Sequence, residues 1–67
     1  MLLRRIEIFL RETDMAWTKF GRLATHDPRF VADLRNGRLP RPDTEARVDG
    51  FIAGYRAALP VETRHAG

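Results

Sequence analysis

Residues Trp17 to Gly37 read WTKFGRLATHDPRFVADLRNG. Trp17, Phe20, Leu23 and Ala24 recur at helical spacing and predict a helix from about Ala16 to Ala24. Gly21 lies inside it, where glycine costs roughly 1 kcal/mol relative to Ala, so a packing reason is expected, such as a neighbouring helix crossing very close. Thr25-His26-Asp27-Pro28 reads as a turn, with Asp27 as N-cap and Pro28 at the first position of a second helix. That helix runs to Asn36, and Gly37 ends it as a C-terminal glycine does. Arg35 in its last turn complements the helix dipole. At about 100° per residue, Phe30, Val31 and Leu34 face inward. Pro28, Arg29, Ala32, Asp33 and Asn36 lie opposite.

Two further helices flank this pair. Leu2, Ile6, Phe9 and Leu10 form one apolar face from about Leu3 to Thr13, with Glu7 and Arg11 at i,i+4 in the favourable order. Arg38-Leu39-Pro40-Arg41-Pro42 is a stiff loop. Asp43 or Thr44 then caps a last helix to about Leu59, with Val48, Phe51, Ile52 and Tyr55 as its apolar stripe. Pro60 stops it, and residues 60–67 read as a flexible tail. No apolar/polar alternation is sustained, so the predicted class is all-α, one small bundle over residues 1–59.

The charge is uneven. The 67-residue chain carries +3. In residues 1–18, Arg4, Arg5 and Arg11 balance Glu7, Glu12 and Asp14. In residues 19–41, Lys19, Arg22, Arg29, Arg35, Arg38 and Arg41 face only Asp27 and Asp33. The positive excess therefore sits on the central helix pair and its loop, a field that attracts phosphate backbones. Every basic residue except Lys19 is arginine, which suits bidentate pairing with phosphate or guanine. The chain has no cysteine, and its two histidines, His26 and His65, lie far apart, so neither a disulfide framework nor a metal site is expected. No nucleophile–base arrangement and no paired carboxylates stand out, and neither an enzyme activity, a cofactor nor a small-molecule ligand is expected. Leu2 and Leu3 are followed at once by Arg4 and Arg5, which is no membrane span or secretory segment. A cytoplasmic protein, nucleoid-associated when bound to DNA, is expected.

The segment 17–37 resembles the helix-turn-helix of the Cro/phage-repressor (Xre-like) family. Phe20 and Ala24 fall at the apolar positions of that motif's first helix, and Gly21 at its small-residue position. Val31 and Leu34 match the buried positions of the second helix, and Asn36-Gly37 the Asn-Gly that commonly closes it. The likeness extends from the first helix to about Ile52. Thr25 departs from the usual turn glycine, Ala16 from the usual Ser or Thr cap, and Trp17 from a polar residue. The loop before Asp43 is one residue longer than usual.

The resemblance implies a lambda-repressor-like domain with its motif at 17–36. Its recognition helix, about 28–36, would lie in the major groove, which is about 12 Å wide and admits one helix. Pro28, Arg29, Ala32 and Asp33 would then face base edges. Trp17, Thr18, Lys19, Arg22, Asn36, Arg38 and Arg41 would approach the DNA backbone, although the Trp17 ring also suits covering the core, as Phe9, Phe20, Phe30, Phe51 and Tyr55 do. Arg29 and Asp33, at i,i+4, suggest that Asp33 holds the Arg29 guanidinium against guanine O6 and N7. Asp33 could instead accept from cytosine N4, or the two could form a plain surface ion pair.

Ala46, Gly50, Ala53, Gly54 and Ala57 line the outer face of the last helix. Small residues at this spacing fit a homodimer contact; simple helix propensity accounts for the alanines equally well. The function implied is a sequence-specific transcriptional regulator of double-stranded DNA, a repressor in the style of Cro, binding a pseudo-palindromic operator as a homodimer. The alternatives are an antitoxin-type autoregulator of a toxin–antitoxin pair, or a helical protein-interaction module without DNA binding.

Overall fold

Leu2, Ile6 and Phe9 share one face of α1 (Leu2–Thr13), and all three are buried. The helix closes where Asp14 turns left-handed, at φ 55°, and Met15 N–H donates to Leu10 O over 3.2 Å. The computed structural model describes residues 1–59, and these contain three more helices and no strand: α2 (Trp17–Thr25), α3 (Phe30–Arg35) and α4 (Pro42–Ala58). The expected flexible tail, 60–67, lies outside the described residues. No described helix is long and apolar enough to cross a membrane.

The core is drawn from all four helices. Phe20 and Ala24 enter it from α2, Phe30, Val31 and Leu34 from α3, and Val48 and Ile52 from α4. Phe9 is its centre. The ring lies 5.6 Å from Phe20, 6.2 Å from Phe51 and 5.2 Å from Tyr55, the last two edge to face. Such geometries align ring edge with ring face and add about 0.5–1.5 kcal/mol per pair to area burial. No polar side chain is buried among the described residues, so this small core spends nothing on desolvating charge.

Leu23 departs from the predicted apolar face and is 47% exposed. The inner face of α2 is Phe20, Gly21 and Ala24, centred on the glycine where α3 passes, which turns Leu23 to the flank. The last helix also starts differently. Arg41 is its N-cap residue and Pro42 its first position, in place of a cap at Asp43 or Thr44. Proline suits this place because its ring presets φ and the N–H it lacks would have no partner there. Asp43 and Glu45 then fall in the first turn, where the helix dipole favours negative charge. Leu59 is extended, as the residue before a proline is expected to be.

Exposed ion pairs tie α1 to its neighbours. Arg5 reaches Glu45 at 3.0 Å and Asp49 at 3.2 Å on α4. The hydrogen bond to Glu45 does most to raise the Arg5 pKa above arginine's usual value; desolvation opposes it, and the charge of Asp49 adds to it. Arg56 of α4 pairs with Glu12 and places its guanidinium over the Phe9 ring. Glu7 does not pair with Arg11 as its spacing suggested. It takes Arg35 of α3 at 3.4 Å, a partner that the helix's own periodicity does not reveal.

Candidate nucleic-acid interface

The α2–α3 pair is built around a backbone contact. A Cβ placed on Gly21 would lie 2.3 Å from Asp27 O and 3.4 Å from Phe30 Cβ. Only glycine lets the start of α3 sit this close. Asp27 N–H also donates to Gly21 O over 3.2 Å, joining the two backbones directly. The chain turns at His26, which is left-handed at φ 63° and donates its N–H to Arg22 O. The left-handed position therefore falls at His26 and not at Thr25. Thr25 remains helical and returns its hydroxyl to Gly21 O over 2.9 Å.

The N-cap of α3 is Arg29 and not Asp27, and Pro28 precedes the helix; Asp27 instead holds the turn before it. Its Oδ1 accepts from Arg29 N–H at 2.9 Å, and its carbonyl accepts from Phe30 N–H at 3.1 Å. The second bond spans three residues, so Pro28 and Arg29 form a tight turn and the α-helix begins at Phe30. The expected recognition helix, 28–36, is thus a turn, a six-residue α-helix and a closing turn at Asn36.

The closing turn is a Schellman motif. Gly37 has φ +96°, its N–H donates to Leu34 O at 3.1 Å, and Arg38 N–H donates to Asp33 O at 3.0 Å. This crossing carries Arg38 back over the last helical turn. There its Nη1 donates to Asp33 Oδ2 at 2.9 Å. The expected Arg29–Asp33 pair is not formed; Asp33 holds Arg38 instead. Asn36-Gly37 is the sequence signal that could have revealed this, since the motif it specifies brings residue 38 onto residue 33.

Of the residues expected to face base edges, Pro28 and Arg29 are exposed, while Ala32 and Asp33 are half-buried. Of those expected at the DNA backbone, Lys19, Arg22, Asn36, Arg38 and Arg41 are exposed and Thr18 is half-buried. Trp17 is 39% exposed at the first position of α2, a half-covered ring and not a core one. The arginines divide by role. Arg5, Arg35 and Arg56 are bound to acidic residues of neighbouring helices. Lys19, Arg22, Arg29 and Arg41 are in no ion pair among the described residues. All four sit on α2 or on the segments bounding α3. Arg4, Arg11 and Arg47, elsewhere on the surface, are likewise in none.

Two open clefts flank the loop Arg38–Arg41. One, about 470 Å³, lies between Thr25, Phe30, Arg41 and Thr44. The other, about 320 Å³, lies between Met1, Leu3, Leu39 and Glu45. Leu39, which the sequence did not single out, is 88% exposed between them. No group of three or more His, Cys, Asp or Glu among the described residues could hold a metal ion. On α4, Ala46, Gly50, Ala53, Gly54 and Ala57 are all exposed or partly so, and a Cβ on Gly50 or Gly54 would meet nothing within 4 Å. In comparisons with known proteins, no family model, no curated protein and no solved structure matches this chain.

Proposed function

We propose that the chain is a sequence-specific, double-stranded DNA-binding regulator whose α2–α3 pair acts as a helix-turn-helix of the Cro/phage-repressor type. One observation carries the proposal. The Gly21–Asp27 approach fixes α3 against α2, and Lys19, Arg22, Arg29 and Arg41, on and around that pair, are in no ion pair among the described residues. Arg5, Arg35 and Arg56, by contrast, hold helices together. A cationic surface on a rigid helix pair suits a phosphate backbone, with α3 entering the major groove.

In this role Arg29 reads a guanine from the turn before α3, with Pro28, Ala32 and Asp33 beside it. Trp17, Thr18, Lys19, Arg22, Asn36 and Arg41 track the sugar–phosphate backbone. The α4 face of Ala46, Gly50, Ala53, Gly54 and Ala57 joins two copies, so that two recognition segments meet half-sites about 34 Å apart. Such a dimer, on a pseudo-palindromic operator, acts as a repressor where that operator overlaps a promoter.

Selection of bound duplexes from a random pool, followed by affinity measurement against salt, tests this. Lys19, Arg22 and Arg41 together predict a slope of log K against log salt of about −3 per protomer. Arg29→Ala should relax the selected sequence at one base pair, with a loss of about 1–3 kcal/mol of discrimination. Equal weakening on every sequence would make Arg29 a phosphate contact. Binding without salt dependence would favour the second reading, a protein-interaction module, for which the exposure of Met1 and Leu39 beside an apolar cleft speaks.

A further inference from the structure

We infer that Asp33 is a positioning residue for Arg38, and that Arg38, held in this way, is a determinant of which DNA sequence the protein prefers. This rests on the DNA-binding role proposed above. Two constraints converge on Arg38. Its backbone is fixed by the Schellman crossing, with its N–H on Asp33 O at 3.0 Å and Gly37 at φ +96°. Its side chain is fixed by the same residue, with Nη1 on Asp33 Oδ2 at 2.9 Å. The held guanidinium is not buried: the Arg38 side chain is 68% exposed and that of Asp33 33%. One end of the guanidinium is therefore anchored, and the others face solvent at the end of α3 with no further side-chain partner among the described residues.

The chemistry separates this arginine from the others on the same surface. A phosphate recurs at every nucleotide and accepts a mobile cation from many directions. A guanine edge presents O6 and N7 in one fixed geometry, and two parallel N–H groups match it with the least loss of freedom when the guanidinium is held beforehand. Among the described residues Arg29 and Arg41 have no carboxylate to hold them, whereas Arg38 does. The Asp33 charge also acts by itself. A carboxylate beside the recognition surface repels every duplex alike, so it lowers unselective binding while it orients the arginine that selects.

The test uses the full chain, with its selected duplex and a random duplex of equal length as probes. The variants are Asp33→Asn, Arg38→Ala and the double variant. Capping at this turn uses the Asp33 carbonyl and not its carboxylate, so Asp33→Asn leaves the helix end intact; an unchanged thermal midpoint verifies that. On the random duplex Asp33→Asn is expected to bind more tightly, because a negative charge is gone. On the selected duplex it is expected to bind less tightly, so that the ratio of the two affinities falls by about tenfold. Arg38→Ala should lower the same ratio, and adding Asp33→Asn to it should lower it little further. A purely structural role for the pair would move the midpoint and leave the ratio alone. An unchanged ratio in Asp33→Asn, or losses that simply add in the double variant, overturns the inference and leaves the DNA-binding proposal standing. Absence of binding by the unaltered chain to any duplex at low salt overturns both.

Discussion

Replacing Gly21 with alanine should destabilise the protein, against the direction that helix propensity alone dictates. Alanine in place of a mid-helix glycine gains roughly 1 kcal/mol. At Gly21, however, the added methyl would sit 2.3 Å from Asp27 O, where a carbon–oxygen contact settles near ~3.3 Å. About 1 Å must be found, and the obstacle is backbone. Moving Asp27 disturbs its hydrogen bond to Gly21 O and its side-chain bond from Arg29 N–H. Overpacking of this kind costs about 1–3 kcal/mol and loss of a turn hydrogen bond about 1 kcal/mol more. After the propensity gain, the net is a loss of about 1–3 kcal/mol. With a urea dependence near ~1 kcal/mol per molar for so small a domain, the unfolding midpoint followed by circular dichroism should fall by about 1–3 M. Gly54→Ala, measured at a protein concentration low enough to keep the chain monomeric, is the control, because within one copy a Cβ there meets nothing within 4 Å, and its midpoint should rise. A Gly21→Ala midpoint at or above that of the unaltered chain, with Gly54→Ala behaving as expected, would refute the close approach of α2 and α3.

Three further substitutions have distinct expected outcomes. His26→Gly should stabilise the chain by about 0.5–1 kcal/mol, since relief of the left-handed backbone outweighs glycine's greater freedom when unfolded; a lowered melting temperature would contradict the turn geometry. Phe9→Ala removes the ring on which Phe20, Phe51 and Tyr55 converge, at a loss of about 3–5 kcal/mol. That is comparable to the whole stability of a domain this size, so cooperative unfolding in calorimetry should disappear. Gly50→Glu should halve the mass measured by light scattering at fixed concentration if the outer face of α4 joins two copies, and a mass equal to that of the unaltered chain would remove this face from consideration.

The parts of the fold that local chemistry decides were legible in the sequence. Periodicity located all four helices, because Leu2, Ile6 and Phe9 on α1 and Val48 and Ile52 on α4 must share a side to be buried together. Gly37 marked the end of α3, and Gly21 announced a close crossing, since each glycine stands where another residue would be strained or obstructed. Asp27 was legible as a turn residue, but the cap at Arg29 and the tight turn before it were not, because one sequence serves both a three-residue and a four-residue hydrogen bond. Charge partners were the least legible. Glu7 chose Arg35 over Arg11, and Asp33 chose Arg38 over Arg29. Alternatives among exposed pairs differ by less than about 1 kcal/mol, so tertiary placement decides them and spacing does not. At the candidate interface, the sequence therefore indicated which residues are outward, and the structure added which of them are held.

The half-covered Trp17 has a practical consequence. It is the chain's one tryptophan and stands at the start of α2, while Tyr55, the one tyrosine, meets Phe9 edge to face at 5.2 Å. The two fluorophores thus report on different places. Trp17 emission, excited selectively, is sensitive to whatever covers α2, and Tyr55 emission is sensitive to the loosening of the aromatic core. An unlabelled sample therefore offers two optical channels, in which quenching of one without change in the other distinguishes a ligand arriving at the surface from a domain coming apart.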